Sequence, residues 1–423
     1  MNDQVSDAVA SAAPSALRLR LRRLFAIFVG VQVIGAAIVT LNAKLRRAAR
    51  ESRRPDDYPW SRLEPVPAAD GVDDTVLYMK GTELLTDLIA DIDAAMKFVH
   101  VETFIWNDDE SGQVVRDALE RAADRGVSIR VMYDGVGSIN LPSDFFSANI
   151  ESFSFKEIRL HPSLLRPRNL IRDHRKLVVI DNQIAYLGGF NFGDLYMSWR
   201  DTHMRVEGPS VLDLANAFAD FWNQHRPTGT TGIANVDGRP WDPRLTVHRN
   251  DPSLGIFPIR GMYMEAIDRA QKRIWITNAY FIPDRAFRRA LLDAARRGVD
   301  VQVILPQFSN HPLTDILAHG TWEELLAAGV RVFLYRHFMV HAKTCTIDGA
   351  WTTVGTANLD RWSMLGNYEI NVEVRSEHVA ARMERLFMLD KENCLEVDAE
   401  LWERRPALQK LGERTLRSLS PLL

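Results

Sequence analysis

The sequence predicts an α/β protein built from two domains of similar architecture, which follow an apolar N-terminal segment. Three observations lead to this prediction. An eight-residue pattern occurs twice in the chain. The segments before the two copies repeat the same order of apolar runs and helical periodicity, and a stretch rich in Gly, Pro, Thr and Asp separates them. With 423 residues and 46% hydrophobic content, the chain can form two or three domains with proper cores.

The first 60 residues differ from the remainder. Residues 1–16 are rich in Ala, Ser and Asp, which favours disorder. Leu24–Leu41 carries no charge over eighteen residues, and a helix of about 27 Å can cross a hydrocarbon core of about 30 Å. Basic residues crowd both sides, and the apolar run is too long for a cleaved signal peptide. We predict a single membrane anchor with the domains in the cytoplasm. A helix lying in the membrane interface is the alternative.

The first domain is predicted to span residues 61–235. Glu83–Ala95 has helical periodicity and leads into the apolar strand Phe98–Trp106. A second helix, Gln113–Asp124, ends at Gly126 and is followed by a strand of β-branched residues. This alternation of strands and helices is typical of an α/β domain.

The second domain is predicted to span residues 236–423. A helix over Met262–Ala270 precedes the apolar strand Ile274–Ile282. The next helix, Ala286–Arg296, ends near Gly298 before another β-branched strand. Because the order of elements matches that of the first domain, we expect the two domains to pack as an internal pseudo-dimer.

The repeated pattern reads H-x-K-x4-D. Three fixed residues of ordinary abundance recur by chance roughly once per 10^4 positions. Each copy is followed by a glycine and, seventeen residues after its histidine, by an asparagine. The probability that two copies with the same downstream residues arose by chance is negligible. The chain is therefore predicted to be an enzyme whose candidate residues are His174, Lys176, Asp181, Asn191, His341, Lys343, Asp348 and Asn358.

The residue types in the pattern suit a phosphodiester. On a strand, His and Lys two positions apart share one face. A lysine beside an imidazole can neutralise phosphate oxygens and the charge that develops on them. Asn191, Thr356 and Asn358 are further candidates for contacts with phosphate oxygens. Neither copy has the carboxylate cluster of a two-metal site, so we expect no metal and no other cofactor.

Two histidines allow a covalent mechanism. One can attack phosphorus while the other protonates the leaving alkoxide and later deprotonates the acceptor. Each half supplies a carboxylate at a matching distance from its histidine, Asp201 after 27 residues and Glu369 after 28, to orient the rings. Asp181 and Asp348 belong to the motif, but their parity along the strand favours shaping a turn or binding its backbone.

The motif is the hallmark of the phospholipase D superfamily, and the chain resembles this superfamily from about Val76 to its end. Longer sequence segments make the chain most similar to bacterial-type cardiolipin synthases. These segments are ETFIWNDD from Glu102, WRDTHMRVEGP from Trp199 and GTANLDRWSMLGNYEINV from Gly355. The resemblance implies mixed β-sheets flanked by helices. It also implies phosphatidyl transfer between two phosphatidylglycerol molecules, giving cardiolipin and glycerol, with His174 as nucleophile and His341 as general acid and base.

Other functions remain open at this point. A phospholipase D that transfers the phosphatidyl group to water would use the same residues. A nuclease is disfavoured, because 52 Lys and Arg against 55 Asp and Glu leave a net charge of −3 without a basic excess. An inactive membrane scaffold would lack part of a motif, and both copies are complete. The expected partners are a phospholipid and the membrane, not nucleic acid; association beyond the pseudo-dimer is not encoded in any recognisable pattern.

Overall fold

The computed structural model describes residues 41, 66–69, 73–156, 170–237 and 244–404. Within these ranges the chain forms two mixed β-sheets of eight strands each. Strands β1 to β8 come from the first half: Val66–Ala69, Asp74–Tyr78, Phe98–Thr103, Ser128–Asp134, Glu151–Phe155, Leu177–Ile180, Ile184–Gly188 and His203–Glu207. Their order in the sheet is β1-β2-β8-β7-β6-β3-β4-β5.

The second sheet repeats this plan. Strands β9 to β16 are Leu245–Asn250, Arg273–Asn278, Asp300–Pro306, Arg331–Tyr335, Lys343–Ile347, Trp351–Gly355, Glu369–Arg375 and Cys394–Glu396. They are arranged as β16-β12-β11-β10-β13-β14-β15-β9. In both sheets three neighbouring strands are parallel (β3-β4-β5 and β10-β11-β12), and each of the next three strands is antiparallel to the strand before it in the sheet. The prediction of two similar domains with mixed sheets is confirmed.

Helices cover both faces of the sheets. In chain order, α1 to α10 are Gly81–Ala94, Glu110–Asp124, Asp194–Met197, Val211–His225, Pro258–Arg269, Arg285–Arg296, Pro312–Ala327, Arg361–Leu365, Glu377–Glu392 and Ala399–Glu403. Helices α1 and α2 pack on the outer face of the first sheet, and α5, α6 and α7 on the outer face of the second. Helices α4 and α9 contribute to a core that both halves share.

The shared core joins the halves as a pseudo-dimer. Leu187 and Phe218 from the first half belong to the same apolar cluster as Val354, Ile370 and Met383 from the second. All five are almost fully buried, so separating the halves would expose this surface to water. The two sheets are therefore held in a defined relation, which places their ends beside each other.

Two strands are shorter than predicted. Strand β3 ends at Thr103 instead of Trp106, and β10 ends at Asn278 instead of Ile282. The residues beyond them leave the sheet because they pair with the segments that follow the motifs, as Trp106 does with Phe192 and Phe281 with Leu359. Apolar sequence alone does not distinguish such a buried loop from a strand.

The predicted domain boundary at residues 235 and 236 falls between the two sheets and stays a prediction. The predicted anchor, Leu24–Leu41, lies outside the described residues except for its last position. In the described ranges, no helix combines the length and apolar character that crossing a bilayer requires.

Candidate active site

The two motifs lie at equivalent ends of the two sheets. His174 and Lys176 directly precede β6, while His341 precedes β13 and Lys343 begins it. We call this end of each sheet the motif end. It is also where the parallel strands finish, since Glu102 near the end of β3 pairs with Leu177 at the start of β6.

The backbones of the two halves pair directly at the motif ends. The His174 N–H donates to the Tyr368 carbonyl at 3.0 Å, and the His341 N–H donates to the Arg200 carbonyl at 2.7 Å. Tyr368 precedes Glu369, and Arg200 precedes Asp201. Each histidine is therefore held beside the carboxylate-bearing segment of the opposite half.

The side chains follow the same crossed arrangement. The Nδ1 atom of His174 lies 3.0 Å from a carboxylate oxygen of Glu369, and that of His341 lies 2.7 Å from one of Asp201. The similar spacings along the chain, 27 and 28 residues, would suit pairing inside each half, but each carboxylate contacts the histidine of the opposite half. The carboxylates cross because the two sheets meet at their motif ends, which brings the first residue of β15 to His174 and the segment before β8 to His341.

Both motif lysines are buried next to the histidines. Lys176 Nζ donates to the His174 carbonyl at 2.8 Å, and Lys343 Nζ donates to the His341 carbonyl. Burial lowers the pKa of Lys176 to about 8 and that of Lys343 to about 7. An ammonium has three donors, so each lysine keeps donors for a phosphate oxygen. A bound anion would raise both pKa values and favour the charged form.

The two histidine–carboxylate pairs differ in charge. Burial alone would raise the pKa of Asp201, but the charge and hydrogen bond of His341, together with Lys343, lower it to about 2. Asp201 is therefore ionised at neutral pH. Burial and the neighbouring Lys343 lower the pKa of His341 to about 3, against the favourable effect of Asp201. In the free protein this pair holds a neutral imidazole against a carboxylate.

The second pair carries less negative charge. Burial raises the pKa of Glu369 to about 8, although Lys176 and the Thr356 hydroxyl oppose this effect. Burial, Lys176 and Lys343 lower the pKa of His174 well below its usual value. Thr356, a candidate for phosphate contact, instead donates its hydroxyl to Glu369 at 2.5 Å. His174 is accordingly a neutral imidazole whose protonated form is poorly stabilised.

The two motif asparagines differ in their contacts. Asn191 Oδ1 accepts from the Ile105 N–H at 3.1 Å, which ties the loop after β3 to the loop after β7. Asn358 Oδ1 is buried, and no residue of the described ranges gives it a hydrogen bond. The Asn358 oxygen is therefore free to accept a hydrogen bond from a ligand, whereas the Asn191 oxygen is already used.

Asp181 and Asp348 lie at the opposite end of the motif strands. Asp181 accepts hydrogen bonds from the N–H groups of Met96, Lys97 and Phe98 at 2.8–2.9 Å. Asp348 accepts three from 271–273, each at 2.8 Å. Both have positive φ, 54° and 55°, as a tight turn requires. Although both belong to the candidate catalytic set, their carboxylates bind backbone at the far end of β6 and β13, away from the histidines, as the turn-shaping role requires.

Replacement of Asp181 or Asp348 by Ala is expected to lower the free energy of unfolding by about 1–3 kcal/mol, because three N–H groups lose a charged acceptor. Turnover per folded molecule should stay within about twofold, since the carboxylates do not reach the histidines. Denaturant unfolding and an active-site-normalised rate would check both. A loss of turnover without a loss of stability would contradict this role.

Asp348 also adds a pH dependence to stability. Burial opposes ionisation of Asp348, but its backbone donors lower its pKa below the ordinary value. Its contribution is therefore present above the unfolded pKa of about 3.9 and disappears as the pH falls through the folded value. The Asp348→Ala variant should lose part of the acid dependence of stability.

Aromatic rings surround the histidines, and sequence reasoning did not assign them to the site. Phe104 packs edge-on to His174 with ring centroids 4.8 Å apart. Trp199 and Tyr280 flank His341 at 5.0 and 6.0 Å. Phe104 is the first residue after β3 and Tyr280 the second after β10, and both lie within the apolar runs that the sequence predicts as strands.

A buried charged cluster lies behind His174. Arg175 pairs with Glu102 and lies 3.5 Å from Asp173, and all three side chains are buried. Burial raises the pKa of both Glu102 and Asp173. The equivalent positions beside His341 are the apolar residues Val340 and Ala342. The two halves thus share a fold but surround their histidines differently.

The comparisons with known proteins agree with this architecture. Residues 88–222 and 263–391 match the family model described as "Cardiolipin synthase, PLD-like domain". The chain is 32% identical over 374 residues to a cardiolipin synthase of Clostridium perfringens strain SM101, covering 83% of this chain and 77% of the relative. It is 33% identical over 357 residues to the major cardiolipin synthase ClsA of Bacillus subtilis strain 168, covering 81% and 74%.

A solved structure shows the same fold. The phosphatidylserine synthase of Haemophilus influenzae Rd KW20 matches with a TM-score of 0.63 and 14% identity, covering 89% of this chain and 98% of the other. At this identity the likeness concerns the fold alone. The family model covers more than half of the chain, and the sequence relatives extend over most of it. The chain therefore belongs to the cardiolipin synthase family and contains two PLD-like domains.

Proposed function

We propose that the protein is a phosphatidyltransferase that makes cardiolipin and glycerol from two molecules of phosphatidylglycerol. One observation carries this proposal: two histidines, each oriented by a carboxylate of the opposite half, lie with two buried lysines at one junction. This arrangement supplies a nucleophile, a proton carrier and positive charge for a phosphodiester. The printed names of the relatives in Clostridium perfringens and Bacillus subtilis support the choice of reaction.

In the first half-reaction, Nε2 of His174 attacks the phosphorus of one phosphatidylglycerol. A P–N bond forms and the P–O bond to the headgroup glycerol breaks. His341, which takes up a proton from solvent when the phosphodiester anion binds beside it, donates that proton to the leaving oxygen, so that free glycerol departs. Lys176 and Lys343 balance the charge on the non-bridging oxygens, and the Nδ2 group of Asn358 is a further candidate donor to them.

In the second half-reaction, the headgroup hydroxyl of another phosphatidylglycerol replaces glycerol. His341, now without its proton, accepts the hydroxyl proton while the oxygen attacks phosphorus. The P–N bond breaks and His174 is released unchanged. The site returns to its starting protonation state, and the atoms of the two lipids are recovered in cardiolipin and glycerol.

The difference between the two pairs supports this division of roles. An ionised Asp201 stabilises a proton on His341, especially when a phosphodiester anion is bound. Glu369, whose pKa is raised to about 8, stabilises a proton on His174 less well. His174 is therefore the better unprotonated nucleophile, and His341 the better general acid and base.

We also propose that the N-terminal segment holds the enzyme at the membrane. Leu24–Leu41 has the length and composition of a single anchor, and basic residues are more numerous after it than before it. The catalytic domains, residues 61–235 and 236–423, would accordingly lie on the cytoplasmic side. This location suits a substrate that is itself a membrane lipid.

Product analysis tests the function directly. The purified full-length protein is incubated with headgroup-labelled phosphatidylglycerol in mixed micelles, and the lipids are identified by mass spectrometry. We expect cardiolipin and labelled free glycerol in equal amounts, and neither with the His174→Ala variant. Phosphatidic acid without cardiolipin would contradict the transferase and indicate transfer to water instead. No lipid product would contradict both reactions.

A further inference from the structure

The chain enters the folded domains at the motif end. Strand β1 is antiparallel to β2, and its first residue, Val66, pairs with Leu77 near the end of β2. The last residue of β2, Tyr78, pairs with His203, where β8 begins at the motif end. The uncharged segment Leu24–Leu41 precedes Val66 in the sequence. A membrane segment upstream would therefore be connected to the end of the fold that carries the histidines.

Loops at the same end expose large apolar side chains. Ile139 follows β4, Leu195 lies in α3 after β7, and Leu365 lies in α8 after β14. Leu254 and Ile256 follow β9, whose last residue, Asn250, pairs with Glu369 at the motif end. These five side chains are 41–68% exposed.

Such exposure has a physical cost in water. Single exposed apolar residues are ordinary on protein surfaces, but several on the loops of one end are typical of an interaction surface. Both halves contribute to the set, so it extends across the junction that contains the two histidines. A lipid surface accepts scattered apolar side chains without needing a matching shape, whereas a protein partner requires complementarity.

We propose that these five residues form a docking surface that inserts shallowly into a lipid bilayer and brings the site to the headgroups of its substrate. The proposal rests on the function proposed above, because a lipid substrate gives this end a reason to meet a membrane. The anchor and the docking surface then act together. The anchor limits the distance of the catalytic domains from the bilayer, and the docking surface sets their orientation towards it. A phosphodiester in the headgroup region could then reach the histidines without the lipid leaving the bilayer.

Insertion can be measured without any turnover. In the full-length protein, Cys394 is replaced by Ser and a single new cysteine carries a fluorophore. The new cysteine replaces Ile139 or Leu254 in the docking surface, or Met96 or Leu401 as a control. Met96 is 81% exposed in the turn before β3, at the opposite end, and Leu401 follows β16, which runs away from the motif end. The labelled proteins are mixed with vesicles of phosphatidylglycerol and phosphatidylcholine that contain nitroxide lipid. We expect fluorescence quenching at positions 139 and 254 to be at least about twofold stronger than at positions 96 and 401. Equal quenching at all four positions would overturn the proposal.

A second measurement uses activity. Serine replacements at Ile139, Leu195, Leu254 and Leu365 are combined, and turnover is compared on vesicles and on monomeric short-chain phosphatidylglycerol. We expect the ratio of vesicle to monomer turnover to fall at least about tenfold, since only the vesicle requires docking. The matched control with Met96→Ser and Leu401→Ser should keep this ratio within about twofold.

The two proposals can fail separately. An unchanged ratio in the fourfold variant would overturn the docking surface while leaving the enzyme active on both substrates. If the unsubstituted protein turned over neither substrate, the proposed function would be wrong, and the quenching pattern would still decide whether this end meets the bilayer.

Discussion

Replacement of His174 by Ala is expected to reduce cardiolipin formation at least about 10^4-fold, because no phosphorus–nitrogen bond can form without the imidazole. The fold should persist. His174 packs at an edge of the site against Phe104 and Glu369 rather than within a large apolar cluster. Turnover is measured with labelled phosphatidylglycerol, and folding by circular dichroism and thermal unfolding. The matched control is His378→Ala, at an exposed position on α9, which should retain normal turnover.

His341→Ala distinguishes the two roles. With glycerol as leaving group, we expect a loss of about 10^2- to 10^4-fold, the usual contribution of general acid catalysis. With a p-nitrophenyl phosphodiester, whose leaving group needs no proton, the variant should still release p-nitrophenol in a burst and accumulate the phosphohistidine. His174→Ala should give no burst with either substrate. A burst in His174→Ala and none in His341→Ala would reverse the assignment.

Asp201→Asn is expected to slow turnover about 10^2- to 10^4-fold, because an amide cannot stabilise the protonated imidazole and can hold the wrong tautomer. The structure assigns this loss to His341, in the second half, although Asp201 belongs to the first. The effect should be no larger than that of His174→Ala. An unaffected rate would remove Asp201 from the site.

A double-mutant cycle tests which histidine Asp201 serves. Adding Asp201→Asn to His341→Ala should lower the rate little further, since Asp201 acts through an imidazole that is already absent. Adding Glu369→Gln to His341→Ala should lower the rate by nearly the same factor as Glu369→Gln alone, because Glu369 acts through His174. The p-nitrophenyl substrate keeps the rates of both double variants measurable. Additive losses for the first pair and non-additive losses for the second would show that the carboxylates pair within each half.

The chemistry of the site was predictable because it depends on residue types at short spacing. Two copies of the motif placed His and Lys together whatever the packing, because they lie two residues apart in the chain; of the four residues, only Lys343 is part of a strand. A strand's period of two residues indicated that Asp181 and Asp348 would face away from the histidines and bind a turn. Those inferences needed only the covalent chain and local geometry.

The limits of strands β3 and β10 were less predictable. The apolar residues that follow Thr103 and Asn278 have the composition of strands, but tertiary contacts with the segments after the motifs bend them out of the sheets. This places Phe104 beside His174 and Tyr280 beside His341. Local propensity gives way wherever long-range contacts are stronger.

By itself, the sequence determined that this protein has two similar α/β domains, two histidines for phosphodiester chemistry and a lysine beside each. Tertiary structure alone decided that Glu369 orients His174 and Asp201 orients His341. Spacing along the chain cannot decide this, because both carboxylates lie at nearly equal distances from the histidine of their own half. The choice follows from the packing of the two sheets through their shared core, which brings residues 195 and 140 positions apart in the chain to within hydrogen-bonding distance.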